Sequence, residues 1–146
     1  MSIPIEARAQ ARRNAPFHVQ LQLTRVPAAC PNRKVEIEGR VVRTFRGEAH
    51  LRPGALVSFS LWVVRRGGEP TGPAFVYHDA LVEASHMEVY LEGTPPQCRV
   101  AAYEFTLLHT PTAVPRMSDD DLERLEAMHR SGARFRRARW WEIWKH

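Results

Sequence analysis

Val35-Glu36-Ile37-Glu38-Gly39-Arg40-Val41 alternates apolar and polar residues and carries a glycine in its interior. Period-two alternation marks a strand with one buried face and one wet face. A glycine inside such a strand gives up side-chain packing, so it marks a bulge or a bend. A bent strand can belong to two sheets at once, which is what a small closed barrel requires.

The flanking sequence supplies the other strands. Upstream, Phe17-His18-Val19-Gln20-Leu21-Gln22-Leu23-Thr24-Arg25-Val26 alternates in the same way, and residues 27–32 form a turn-rich break. Downstream, Arg46-Gly47 ends the bent strand and Leu51-Arg52-Pro53-Gly54 makes a turn. Leu56-Val57-Ser58-Phe59-Ser60-Leu61-Trp62-Val63-Val64 is a third strand, rich in β-branched and aromatic residues. A Gly/Pro loop spans 67–73, and residues 77–84 fit two turns of helix. Glu88-Val89-Tyr90-Leu91 is a short fourth strand, closed by Glu92-Gly93 and Pro95-Pro96, and residues 98–108 form a fifth. Three strands, a short helix and two strands is the element order of an OB-type barrel. The expected architecture is mainly β: a five-stranded OB-like barrel over residues 17–110, with a β-sandwich as the alternative. Residues 1–16 are an N-terminal arm or short helix ending at Pro16.

The run Gly39-Arg40-Val41, Thr44-Phe45-Arg46-Gly47, Leu51-Arg52-Pro53-Gly54 and Val57-Ser58-Phe59, with Val89-Tyr90-Leu91 downstream, resembles the barrel of netrin-like and tissue-inhibitor-of-metalloproteinase-like domains. The resemblance covers about half the chain and implies the same barrel. Inhibitors of that kind depend on an N-terminal cysteine and several disulfides. This chain begins Met1-Ser2 and has two cysteines, so protease inhibition does not carry over.

Length and composition bound the remainder. A chain of 146 residues, 44% hydrophobic and 25% charged, fits one globular core. No apolar run approaches the roughly 20 residues that span a bilayer. Residues 1–6 carry no apolar stretch behind a basic start, so the expected location is the cytoplasm. The net charge of +5 favours polyanions. Yet Lys34 and Lys145 are the only lysines among 21 Lys and Arg residues, and this arginine excess also fits the bias of a GC-rich bacterial genome. Cys30 and Cys98 are too few for a metal cage and form no C-x-x-C pair; they are expected to be free thiols.

After Pro111 and Pro115 the pattern changes. Ser118 can cap a helix whose first turn holds Asp119, Asp120 and Asp121, matching the positive end of the helix dipole. A C-terminal helix is expected over 118–146, kinked near Gly132. Its last third holds Arg134, Arg136, Arg137 and Arg139 with Phe135, Trp140, Trp141 and Trp144. At about 100° per residue, the three tryptophans share one face, Arg137 points between them and Phe135 points nearly opposite. A membrane-surface helix would separate its faces, and this one does not. Arginine with tryptophan is also the favoured composition of protein interfaces. The partner-binding candidates are therefore Arg136, Arg137, Arg139, Trp140, Trp141 and Trp144. They are expected to pack on the barrel or on another subunit, with arginine stems covering apolar surface.

Two internal segments carry residue types suited to chemistry. On a helix Asp79, Glu83 and His86 fall on one face at i, i+4 and i+7, where two carboxylates and an imidazole can hold a metal or exchange protons. Nothing completes a known ligand pattern, and a solvated helix face is the expected reading. The loop Gly67-Gly68-Glu69-Pro70-Thr71-Gly72-Pro73 lacks the Lys-Ser/Thr of a phosphate-binding loop, and its prolines remove backbone donors. No catalytic residue, cofactor or metal is expected. The leading functional expectation is a non-enzymatic binding or assembly module that contacts a protein partner or a second copy through the C-terminal helix. The alternative is single-stranded nucleic-acid binding, which needs exposed aromatics beside arginines; Phe59, Trp62, Tyr90 and Tyr103 are its candidates.

Overall fold

The structure, a computed structural model, describes residues 5–117, without the side chains of Ile5, Glu6 and Tyr103. Along the chain run α1 (Ile5–Asn14), β1 (Phe17–Arg25), β2 (Arg33–Arg46), β3 (Leu56–Val64), β4 (Phe75–Tyr77), α2 (His78–Ala84), β5 (His86–Thr94) and β6 (Gln97–Leu108). The expected C-terminal helix lies outside the described residues.

The strands join in the order β2-β1-β5-β6-β3-β4, and β2 also pairs with β3. That second pairing closes five strands into a barrel and removes the β-sandwich alternative. All barrel pairings are antiparallel except β3–β6, which is parallel and short. It rests on the Ser58–Gln97 register, with the Ser58 N–H donating to the Pro96 carbonyl at 2.8 Å. The five barrel strands, three before α2 and two after it, follow the order read from the sequence.

β2 serves two neighbours. Residues 33–40 pair with β3, and residues 38–46 pair with β1. Gly39 sits in the overlap, opposite Val57 on one side and Leu23 on the other, beside a register shift in β1. A Cβ at Gly39 would lie 3.0 Å from Leu21 Cβ and 3.2 Å from the Gln22 carbonyl oxygen. Glycine therefore lets β1 and β2 approach where the strand turns from one partner to the other.

Alternation fills the interior. Phe17, Val19 and Leu21 of β1 meet Ile37 and Val41 of β2, Val57, Phe59, Leu61 and Val63 of β3, and Met87, Val89 and Leu91 of β5. Full burial of each such side chain stabilises the fold by roughly 1.5–3 kcal/mol. Two features depart from the sequence reading. A three-residue strand, β4, runs parallel to the end of β3 and leads directly into α2; it is too short for periodicity to register. β6 carries a wide bulge: Leu91 faces Val100 while Val89 faces Phe105, so residues 101–104 lie opposite Tyr90, with Ala102 at φ +50°.

Gly47, just past the end of β2, has φ +86°, and a Cβ there would fall 2.4 Å from Phe17 Cδ1 and 2.6 Å from the Pro16 carbonyl oxygen. Gly54 has φ +97° with nothing within 4 Å. Gly54→Ala is expected to cost about 1 kcal/mol of backbone strain. Gly47→Ala adds a steric clash and is expected to cost at least about 1 kcal/mol more. Urea unfolding of both variants checks the order, and equal losses would refute the tight packing of Gly47 on Phe17.

Candidate functional site

Over residues 17–21 and 87–91, β1 and β5 bury both of their faces. The inward parity is apolar, as above. The outward parity carries His18 and Gln20 on β1 and Glu88 and Tyr90 on β5, all nearly inaccessible. Across the pair His18 faces Tyr90 and Gln20 faces Glu88. The expectation of a wet outer face fails here, because residues 112–117 cross over it as a strap.

Glu88 is the centre of this layer. One carboxylate oxygen accepts from Gln20 Nε2 at 2.7 Å and the Arg116 N–H at 2.9 Å. The other accepts from His18 Nε2 at 3.0 Å and the Met117 N–H at 2.7 Å. Gln20 also meets the strap directly: its Oε1 accepts the Thr112 N–H at 2.9 Å and its Nε2 donates to Thr112 Oγ1 at 2.8 Å. Tyr90 donates to the Met117 carbonyl at 2.9 Å, and the His18 ring stacks on Tyr90 with centroids 3.9 Å apart. Burial alone would push the Glu88 carboxyl up. The donors from His18, Gln20, Arg116 and Met117 outweigh it and hold the group down at about 2.

α1 docks on the same side through charge. The β6 bulge carries Glu104, whose buried carboxylate accepts from Arg8 Nε at 2.5 Å and Arg12 Nε at 2.7 Å. Arg46 reaches from β2 to the Arg12 and Ala15 carbonyls at the end of α1. The Arg12 and Arg46 guanidinium groups lie 5.4 and 5.7 Å from the Tyr90 ring centre, within cation–π range.

A second locus opens on the barrel seam. Beyond the Ser58–Gln97 register, β3 and β6 diverge and leave a groove of about 340 Å³. Ser60 and Trp62 of β3, Lys34 of β2, and Arg99 and Val100 of β6 line it. Trp62 is partly exposed and faces exposed Lys34 across the β2–β3 pair. Arg99 is exposed, 3.6 Å from Glu92.

Arg136, Arg137, Arg139, Trp140, Trp141 and Trp144 lie outside the described residues. Of the aromatics, Phe59 and Tyr90 are buried, Trp62 is partly exposed, and the Tyr103 side chain lies outside the description. The Asp79, Glu83 and His86 face does not form, because α2 stops at Ala84. Ser85 turns left-handed at φ 64° and His86 begins β5. Asp79 instead pairs with Arg66 at 3.0 Å, a bond that holds its carboxyl below the usual value. Among the described residues no group of His, Cys, Asp and Glu could hold a metal ion. In the 67–73 loop the Glu69 carboxylate accepts from the Gly67 N–H at 3.0 Å and the Tyr77 hydroxyl at 2.7 Å. Cys30 and Cys98 are free thiols, and burial raises that of Cys98.

Sequence reasoning left His18 unassigned and placed Glu88 in a strand without a role. The available signal was shared parity: His18 and Gln20 on one strand, Glu88 and Tyr90 on another.

Glu88→Gln is expected to lower stability by about 2–4 kcal/mol at pH 7, because two strap N–H groups lose a charged acceptor. The folded carboxyl titrates at about 2 and the ordinary value is 4.5. Its contribution, roughly 3 kcal/mol, is therefore complete above pH 4.5 and lost as the pH falls toward 2. Urea unfolding at pH 7 and pH 3 should show the gap between the native chain and the Gln variant shrinking in acid. A gap independent of pH would contradict an ionised Glu88.

No family model matches this sequence, and no curated protein matches it.

Proposed function

We propose that this protein is a non-catalytic binding and assembly module. In this reading the barrel is a rigid platform, and the segment after residue 117 carries the contact surface. The observation that carries the proposal is the grip of Glu88 on the Arg116 and Met117 N–H groups. A buried carboxylate is spent on fixing the chain at the root of the segment that holds Arg136, Arg137, Arg139, Trp140, Trp141 and Trp144. A fixed root sets where that segment leaves the barrel toward a protein partner or a second copy. Free Cys30 and Cys98 suit the reducing cytoplasm. Among the described residues no helix is long and apolar enough to cross a membrane.

A second reading, single-stranded nucleic-acid binding, is favoured by one observation: Trp62 shares the seam groove with Lys34 and Arg99.

Light scattering tests the first reading. The intact chain, 16.8 kDa, is expected to give a mass above one chain, or to retain a protein partner that fixes its mass. The Trp140→Ala/Trp141→Ala/Trp144→Ala variant is expected to run as one chain with an unchanged circular dichroism spectrum. A single-chain mass for both, with no partner retained, would remove the assembly role.

A further inference from the structure

From the seam groove we infer a binding site for one nucleotide unit of a single-stranded nucleic acid, its base stacked on Trp62 and its phosphate between Lys34 and Arg99. The inference rests on the second reading above and gives it a place on the molecule. It is independent of the C-terminal tryptophans.

The groove exists because the β3–β6 pairing is short. After Ser58 and Gln97 the two strands part, β3 turning to β4 and β6 remaining with β5. The gap of about 340 Å³ is at the small end of ligand sites, the scale of one flat ring with its attached anion. Its wall is chemically divided. Trp62 and Val100 supply apolar surface, and the Ser60 hydroxyl can donate or accept. Lys34 and Arg99 supply positive charge. Lys34 has no carboxylate partner among the described residues. Among the described residues Arg99 pairs only with exposed Glu92, at 3.6 Å, a pairing that an incoming phosphate can displace. Glu36, opposite Ser60 in the β2–β3 register, lies 4.0 Å from Arg25 and is not among the residues that line the groove.

An aromatic face beside two cations suits a ring that carries an anion. Stacking on tryptophan accepts any base, and phosphate contact ignores sequence, so no sequence preference is expected. A duplex keeps its bases stacked on one another and offers none to Trp62.

The test is fluorescence anisotropy of a labelled thymidylate strand of about ten residues, with a duplex and thymidine monophosphate as competitors. The intact chain is expected to bind the strand and to ignore the duplex. Trp62→Leu should weaken binding roughly tenfold or more, and Trp62→Phe should recover part of the loss. Lys34→Glu with Arg99→Glu, both exposed and tolerant of change, should lower the salt slope by roughly 0.7 per cation removed. Monophosphate competition as strong per nucleotide as the strand's would assign the same groove to free nucleotides and support the shared chemistry. Strand binding that survives all these variants but disappears with Trp140→Ala/Trp141→Ala/Trp144→Ala would overturn the groove and leave nucleic-acid binding standing. No binding by the intact chain would overturn both.

Discussion

The fold depends on one strand with two partners. β2 is long enough to pair with β3 along its first half and β1 along its second, and it turns between them at Gly39. Without that turn the pairing of β2 with both neighbours could not be maintained, and the sheet would stay open. The close approach of β1 leaves a side chain there only tight room, 3.0 Å from Leu21 Cβ. Everything else follows from closure: the interior of Val, Leu, Ile and Phe, the short parallel seam between β3 and β6, and the groove where that seam gives out.

Closure also forces the outer layer. A barrel has one inside, so a strand's second parity must face solvent or be covered. On β1 and β5 it is covered, and the covering segments meet it through polar groups. A carboxylate in such a place is stable only with its lone pairs occupied. Glu88 satisfies this with two side chains and two backbone N–H groups, and Glu104 with two arginines. The two carboxylates thus assign the strap and α1 to fixed positions on the same side of the barrel.

What the sequence disclosed follows the same physics. Alternation in β1, β2 and β3 comes from the single apolar interior that a barrel imposes, so those strands and the glycine bend were legible. β4 was not, since three residues carry no period. The helix end at Ala84 was legible, but the candidate face carried helical spacing on to His86, because nothing in Val82-Glu83-Ala84-Ser85 announces a left-handed Ser85. The polar layer was hidden for a deeper reason. Alternation assigns His18, Gln20 and Glu88 to water, and only a segment far along the chain converts that wet face into an interior. Phe59 and Trp62 lie on opposite parities of β3, so the register separates a core ring from an accessible one.

The polar attachment of α1 and the strap has a consequence for how the molecule comes apart. The barrel is held by apolar burial and opens only with global unfolding. The outer layer is held by carboxylates, arginines and backbone N–H groups around a small apolar cluster of Ala15, Tyr90, Ala101 and Met117, and its detachment exposes less apolar area than opening the barrel. Amide hydrogen exchange would therefore divide into two tiers, a slow barrel and a faster shell. Within the faster tier the strap, held by Glu88, would loosen in acid, and the whole tier would respond less to urea than the barrel, since the denaturant slope follows the surface uncovered.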